Sequence, residues 1–531
     1  MSELMKVEEL LAKGRLNRRQ FLKCVSMLGL TGAVSPVLWR SIAHAETPKK
    51  GGNFRIGLTG ASTAESLDPA TYGTGVINHF MVGAIGNCLT EIDHKGEVIP
   101  ELAESWETNA SADTWTFRLR QGVTFHNGKT LTADDVIASF NHHRGEDTKS
   151  SGKPLLKGVT DIRKADDRTV VFQMESGNAD FPYIVSEYFF IIFPSQDGLC
   201  DWKSGIATGG YKLTKFEPGV RYVGERYPDY WKEGRAHFDR VEQVPLSDQA
   251  ARTTAIITGE VDCIGGVDLS TVHLLKRKPG ISVNAVTGTQ HFTMPMFTDV
   301  APFDDVNVRL ALKYAIDREQ LVKILLSGFG QVGNDSPITP ANRYFNNEME
   351  QRKYDPEKAR YHLKQAKLDS LSVKLHAADA AFPKAVDAAV LFSESAAKAG
   401  IDIKAVREPN DGYWSNVWLK KPFCTCFWSG RPTEDLMLTT AYAADSPWND
   451  AHWKNKRFNT LLVEARTELD PDRRRAMYWE LQQIVRDDGG TIIPVYAQYV
   501  FANRSNLAHG PLAANRDVDG WKSMERWWFK A

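Results

Sequence analysis

An α/β fold of more than one domain is what this 531-residue chain predicts. Three observations lead there. Alternating apolar and polar runs of strand length are interleaved, through most of the chain, with stretches whose apolar residues recur every three or four positions. Hydrophobic residues make up 42% and charged residues 25%, which suits a protein with a buried interior and excludes a fibrous or disordered chain. The length of 531 residues exceeds what one hydrophobic core supports, so two or three domains are expected. No internal repeat or long linker marks a boundary between them.

The first strand of the body is Asn53 to Leu58, and Ser66-Leu67-Asp68-Pro69-Ala70 then turns the chain toward a helix around Val76 to Ile85. Trp115, Phe117 and Leu119 alternate with polar neighbours as in a half-buried strand. Asn127-Gly128 supplies hairpin chemistry, and Thr132 caps a helix from Ala133 to Phe140, with Asp134 and Asp135 at its positive end. From Val308 to Leu326 the apolar residues Val308, Ala311, Leu312, Ala315 and Ile316 predict one buried helix, which Gly328 stops. Asp355-Pro356 and Asp470-Pro471 each set a capping acid before a proline at the first helical position, predicting helices over 356–367 and 471–486.

The N-terminus carries an address. Leu16-Asn17-Arg18-Arg19-Gln20-Phe21-Leu22-Lys23 sets twin arginines before a moderately apolar run from Cys24 to Trp39, and Ala43-His44-Ala45 follows as a cleavage site. This predicts a twin-arginine export signal, removed after Ala45, and a periplasmic location. Pro36 and Arg40 interrupt the run before the roughly 20 apolar residues that a membrane span needs. Lys23 stands where a lipoprotein signal needs a small residue before its cysteine. The first 45 residues hold seven Lys/Arg against three Glu, leaving 58 basic and 63 acidic residues beyond, a balance without the basic face that nucleic acid requires. Cys88, Cys200, Cys263, Cys424 and Cys426 remain, an odd number that excludes a complete disulfide framework and leaves the pairing open.

Four segments together resemble the solute-binding proteins of peptide-type ABC importers, the dipeptide and oligopeptide-binding family (solute-binding family 5). They are residues 102–140 (beginning LAESWETNASADTWTFRLRQGVTFHNGKTLTADD), 208–262 (TGGYKLTKFEPGVRYVGERYPDYWKEG and onward), 303–321 (FDDVNVRLALKYAIDREQL) and 470–496, so the resemblance spans nearly the whole mature chain. It implies a bilobal periplasmic-binding-protein clamshell (type II, cluster C) with an extra inserted domain. Lobe I would be discontinuous, from 46–85, 209–288 and 495–531; the inserted domain II would be 86–208; lobe II (domain III) would be 289–494. The solute is enclosed by hinge closure and the closed form is presented to inner-membrane permease subunits with their ATPases. A monomer without cofactor or metal is implied, and Tyr227-Pro228-Asp229-Tyr230-Trp231 is read as a packed turn.

Twin-arginine export also serves redox enzymes, so an exported periplasmic enzyme is the contrasting reading. The chain contains no C-x-x-C-H, no multi-cysteine iron–sulfur spacing, no H-E-x-x-H and no G-x-S-x-G. His142 and His143 are adjacent and diverge on a helix, and the pairs Asp134-Asp135 and Asp487-Asp488 suit capping or solvent better than acid–base work. The reading is therefore a binding protein and not an enzyme.

The candidate site centres on Cys424-Thr425-Cys426-Phe427-Trp428-Ser429-Gly430-Arg431-Pro432-Thr433-Glu434-Asp435. The two thiols, one residue apart on a strand, point to opposite faces and do not suggest a metal site. Members of the resembled family often carry W-x-G-D-x-x-D-P here, with the acid holding the ligand's α-ammonium group; in this chain Arg431 stands in its place. An arginine repels an ammonium group and holds a carboxylate by two parallel hydrogen bonds, which points to a carboxylate-rich peptide or an opine-like solute. The alternative is an Arg431 paired internally with Glu434 or Asp435. Trp428, Tyr413, Trp414 and Trp448 are candidates to stack on or enclose the solute, and Thr74 and Gly75, before the early helix, to offer hydroxyl and backbone groups. Within the same fold an opine, a sugar or a metal chelate is the alternative to a peptide.

Overall fold

The computed structural model describes residues 48–410 and 412–531; the predicted signal residues Arg18 and Arg19 and the cleavage residue Ala45 lie outside the described residues. Among the described residues no helix is long and apolar enough to cross a membrane.

A mixed nine-stranded sheet runs through the molecule. Its strands are β1 (Asn53–Leu58), β2 (Tyr211–Glu217), β3 (Arg221–Arg226), β4 (Arg240–Pro245), β5 (Cys263–Ile264), β6 (Ile281–Pro295), β7 (Gly330–Val332), β8 (Cys426–Trp428) and β9 (Thr491–Arg504). The order is β2-β3-β4-β1-β5-β9-β6-β8, with β7 also on β9. β1 is parallel to β4 and β5, and buries Phe54 and Ile56. The long strands β6 and β9 cross from one lobe to the other. Ile281 to Thr287 pair with residues 498–504 in the first lobe and His291 to Pro295 with residues 491–496 in the second, and the register shifts between Thr287 and His291.

In the second lobe the sheet separates two cores. Phe292, Met294 and Val495 face one, with Leu312, Leu375 and Phe392; Trp428 and Tyr496 face the other, with Leu438, Tyr478 and Leu481. Val495 and Tyr496 are neighbours on β9, and strand alternation sends them to opposite faces. A separate four-stranded antiparallel sheet of Ala103–Thr108, Thr114–Leu119, Thr169–Met174 and Val159–Asp166 shares the first lobe's core through Phe117 and Phe172.

The predicted helix starts at Thr132, Asp355 and Asp470 are present, the last two with the aspartate side chain accepting from backbone N–H groups of the first turn. The single helix expected over Val308 to Leu326 is two, Val306–Ala315 and Arg318–Leu325. Asp317 makes the break, because its carboxylate accepts from Gln320 N at 3.0 Å and caps a new helix. Cys88, Cys200, Cys263, Cys424 and Cys426 are all free thiols.

Candidate functional site

β8 delivers Trp428 to the edge of the second lobe, opposite His291 on β6. The next residues turn into the helix α1 (Glu434–Tyr442), capped by Thr433. Gly430 runs so close to β6 that a Cβ there would stand 1.7 Å from Thr289 Oγ1, so only glycine fits. That contact holds Arg431 at the rim. Its guanidinium lies over the Trp428 ring, 5.6 Å from the centroid, and its Nη1 donates to Ser429 O at 2.8 Å.

Arg431 has no carboxylate partner among the described residues. Neither Glu434 nor Asp435 pairs with it: Glu434 accepts from Tyr344 N at 2.7 Å and Asp435 from Arg466 Nε at 3.1 Å. The charged groups felt at Arg431 are Arg516 and Glu187 of the opposite wall; burial first, then Arg516, hold its pKa below the ordinary value. His291 beneath is fully buried, and desolvation lowers its pKa to about 4, so it is neutral and adds no charge.

Three of the four predicted aromatic residues form one wall. Trp428 is 5% exposed, while Trp414 and Trp448 are 41% and 47% exposed. Trp418 ties them together, with centroid distances of 5.8 Å to Trp414, 6.3 Å to Trp428 and 6.2 Å to Trp448. Its Nε1 donates to the buried Asp450 carboxylate at 3.2 Å, and burial pushes that carboxyl up to about 6. Tyr413 is a correction. It is 1% exposed and its hydroxyl donates to Thr425 O at 2.8 Å, which places it in the core behind the wall.

The first lobe supplies the facing wall. Thr74 caps the short helix Gly75–Phe80 and donates to the Glu65 carboxylate, so its hydroxyl already has a partner. Gly75 lies against Trp521, whose ring meets Tyr188 at 5.4 Å. Arg516 sits 5.0 Å from the Trp521 centroid and 5.2 Å from that of Tyr188, and its Nη2 donates to Glu187 Oε2 at 2.7 Å. Tyr499 on β9 bridges the walls, packed on Gly288, where a Cβ would stand 2.2 Å from its ring. Beside it a cavity of about 410 Å³ opens between the lobes, bordered by Asp268, Gln290, Phe292, Lys384, Tyr499 and Asp517. That volume suits a small solute.

Arg431, Trp428, Trp414 and Trp448 thus share one wall, and Thr74 and Gly75 belong to the other. Trp418, Tyr499, Arg516 and Trp521 were missed. Trp418 had a signal, being one helical turn from Trp414; Arg516 and Trp521 lie in a C-terminal stretch with no local pattern. The buried carboxylates of Glu91, Glu101 and Glu525 converge within metal-ligand spacing, and Glu91 and Glu101 share a pocket with Tyr188, Arg516 and Trp521. Lys232 Nζ already fills their centre, 2.7 Å from Glu101 and 3.0 Å from Glu525, and Lys522 reaches Glu101 at 2.9 Å. This is an ion-pair cluster with its positive charge built in.

The strands β6 and β9 join the two sides of this cleft, and comparison with known proteins gives its family. Residues 97–450 match the family described as bacterial extracellular solute-binding proteins, family 5 Middle. The chain is 26% identical over 439 residues to the dipeptide-binding protein of Escherichia coli, covering 75% of this chain and 80% of that one. It is 26% identical over 511 residues to heme-binding protein A of Haemophilus influenzae, covering 89% and 92%. The fold is shared with the periplasmic binding protein DppA of Helicobacter pylori in complex with the peptide STSA, at a TM-score of 0.71 and 23% identity over 91% of this chain and 99% of that one. The chain is a bilobal clamshell and belongs to the bacterial extracellular solute-binding proteins of family 5.

Proposed function

We propose that this chain is the solute receptor of a bacterial ABC importer and captures a peptide or peptide-like solute bearing a carboxylate. Export by the twin-arginine route, cleavage after Ala45 and work as a periplasmic monomer that docks on permease subunits with their ATPases complete the reading. The observation that carries the solute class is Arg431, a guanidinium at the cleft rim with no carboxylate partner among the described residues, facing an Arg516 paired with Glu187. A bound carboxylate would supply the missing counter-charge through charge-assisted hydrogen bonds. The names of the relatives, a dipeptide-binding protein and a peptide complex, support the peptide class.

The division into lobe I (46–85, 209–288, 495–531), an inserted domain (86–208) and lobe II (289–494) is part of the proposal. It is supported by β6 and β9, which change partners and register close to residues 288 and 497. The test is to purify the mature chain with its solute, denature it and identify the released molecule by mass spectrometry. A carboxylate-bearing peptide or peptide analogue is expected, recovered unchanged after rebinding. A sugar, a metal chelate, or a product differing in mass from what was added would overturn the reading.

A further inference from the structure

Arg431 does not border the cavity of about 410 Å³ between the lobes. Alternation along β6 separates the two spaces. Thr289 touches Gly430 and His291 lies opposite Trp428, whereas Gln290 and Phe292, on the other face of the strand, border the cavity. The cores of the second lobe divide in the same way, with Trp428 in one and Phe292 in the other. The cleft that Arg431 faces and the cavity are therefore the front and the back of the crossing strands.

The two rims of the back cavity belong to different lobes. Asp268 and Leu269 border it from the first lobe, in a loop tied to β9 where Val267 N donates to Val500 O at 3.1 Å. Leu326 and Lys384 border it from the second. Between the rims the strands are irregular: the register of β6 on β9 shifts between Thr287 and His291, and Gly288 lets the Tyr499 ring lie directly on the backbone. Irregular pairing bends a strand, which makes this stretch the natural pivot. When two lobes rotate about strands that pass between them, a front that narrows is matched by a back that widens.

The rims carry opposite charges. Asp268 accepts from Ser270 N at 2.9 Å and from Thr271 Oγ1 at 3.1 Å. Burial opposes its ionisation, but the bonds from Ser270 and Thr271 and the charge of Lys384 outweigh it and hold the carboxyl below the usual range. Lys384 precedes the helix Ala385–Ala397 with a φ of 64°, a left-handed conformation that lysine seldom adopts. Among the described residues neither side chain forms an ion pair, so the two charges attract across the gap without meeting. Drawing the rims together would widen the front.

We infer that the back cavity sets how far the solute cleft opens: the attraction between Asp268 and Lys384 across it favours a wide cleft, and bulk placed within it favours a narrow one. This goes beyond the receptor reading and does not depend on the class of solute.

The test compares variants of the mature protein, freed of endogenous solute, by small-angle X-ray scattering and by acrylamide quenching of tryptophan, to which the half-exposed Trp414 and Trp448 contribute. Asp268→Asn and Lys384→Gln should each lower the radius of gyration and the share of fluorescence open to acrylamide. Salt, which screens the attraction, should move the wild type in the same direction and leave both variants where they are. Gln290→Trp, a wedge on the cavity floor that leaves the two charges in place, should lower the radius of gyration by itself. If Asp268→Asn loses its fold along with its loop bonds, Lys384→Gln and Gln290→Trp still decide. Folded variants with the wild-type radius of gyration, or a larger one, overturn the inference, and so does a salt response that the charge variants keep.

Discussion

Asp180 and Arg474 form a buried ion pair across the lobes, with Oδ1 accepting from Nη1 at 2.6 Å. Asp180 comes from the segment beside the four-stranded sheet, and Arg474 from the helix Pro471–Asp488 of the second lobe. Beside them Ala179 N donates to Arg466 O at 2.8 Å. Separation of these two segments would break both contacts, so the pair links the arrangement of the lobes to a contact remote from Arg431.

Asp180→Ala leaves the Arg474 charge buried without its partner, a loss of about 3–5 kcal/mol when one member of such a pair is removed. The cost falls on the arrangement in which the two segments touch. Solute affinity is expected to drop at least tenfold and the radius of gyration in solution to rise. Small-angle scattering and titration check this, and a variant unchanged in both would show that closure does not depend on the pair.

Arg431→Gln removes charge-assisted hydrogen bonds worth about 1.5–3 kcal/mol each to a bound carboxylate. Because Arg431 pairs with no protein carboxylate among the described residues, thermal stability should shift little while affinity for the co-purified solute falls tenfold or more. A large loss of stability with unchanged affinity would mean the guanidinium serves packing on Trp428.

The tryptophan wall predicts a division of labour. Trp448→Ala and Trp414→Ala, at half-exposed positions, should cost little stability and should reduce the solute-induced change in tryptophan fluorescence. Trp418→Ala removes the ring that joins the wall and leaves Asp450 without its indole donor, and should destabilise by about 3–5 kcal/mol. Equal melting temperatures for all three variants would contradict the arrangement.

Asp335 makes the second lobe acid-sensitive. It is fully buried, held by Arg318 at 2.8 Å and Arg352 at 2.5 Å, and accepts from Ile493 N at 2.9 Å. Burial alone would raise its pKa, but the two guanidiniums outweigh it and hold the carboxyl at about 2. A depressed carboxyl stabilises fully above its unfolded value near 4 and loses that contribution as pH falls toward 2. Chemical denaturation of the wild type should therefore show stability falling over that window, and Asp335→Asn should flatten the fall while lowering stability at pH 7. A wild type as stable at pH 2.5 as at pH 5 would refute it.

Much of this molecule is written locally. The capping acids at 355 and 470 and the strand at 53–58 follow from a few residues each, because backbone period and end-capping are decided within one or two turns. The break at Asp317 was hidden by an apolar period that continues through it, although the capping residue itself is visible. Tyr413 misled because an aromatic residue beside Trp414 reads alike whether its ring faces solvent or core, and only the bond from its hydroxyl to Thr425 distinguishes them.

The sequence by itself determined the α/β character, the family, the twin-arginine pattern and the substitution of Arg431 into a position of interest. Only the tertiary structure decided which charges are satisfied. Glu434 and Asp435, close in sequence to Arg431, are taken by Tyr344 and Arg466, while Glu187 reaches across 329 residues to Arg516, and Arg431 is left with no carboxylate partner among the described residues. Coulomb energy and desolvation depend on distance in space, and in a two-lobed chain whose strands cross between lobes that distance bears no relation to separation along the sequence.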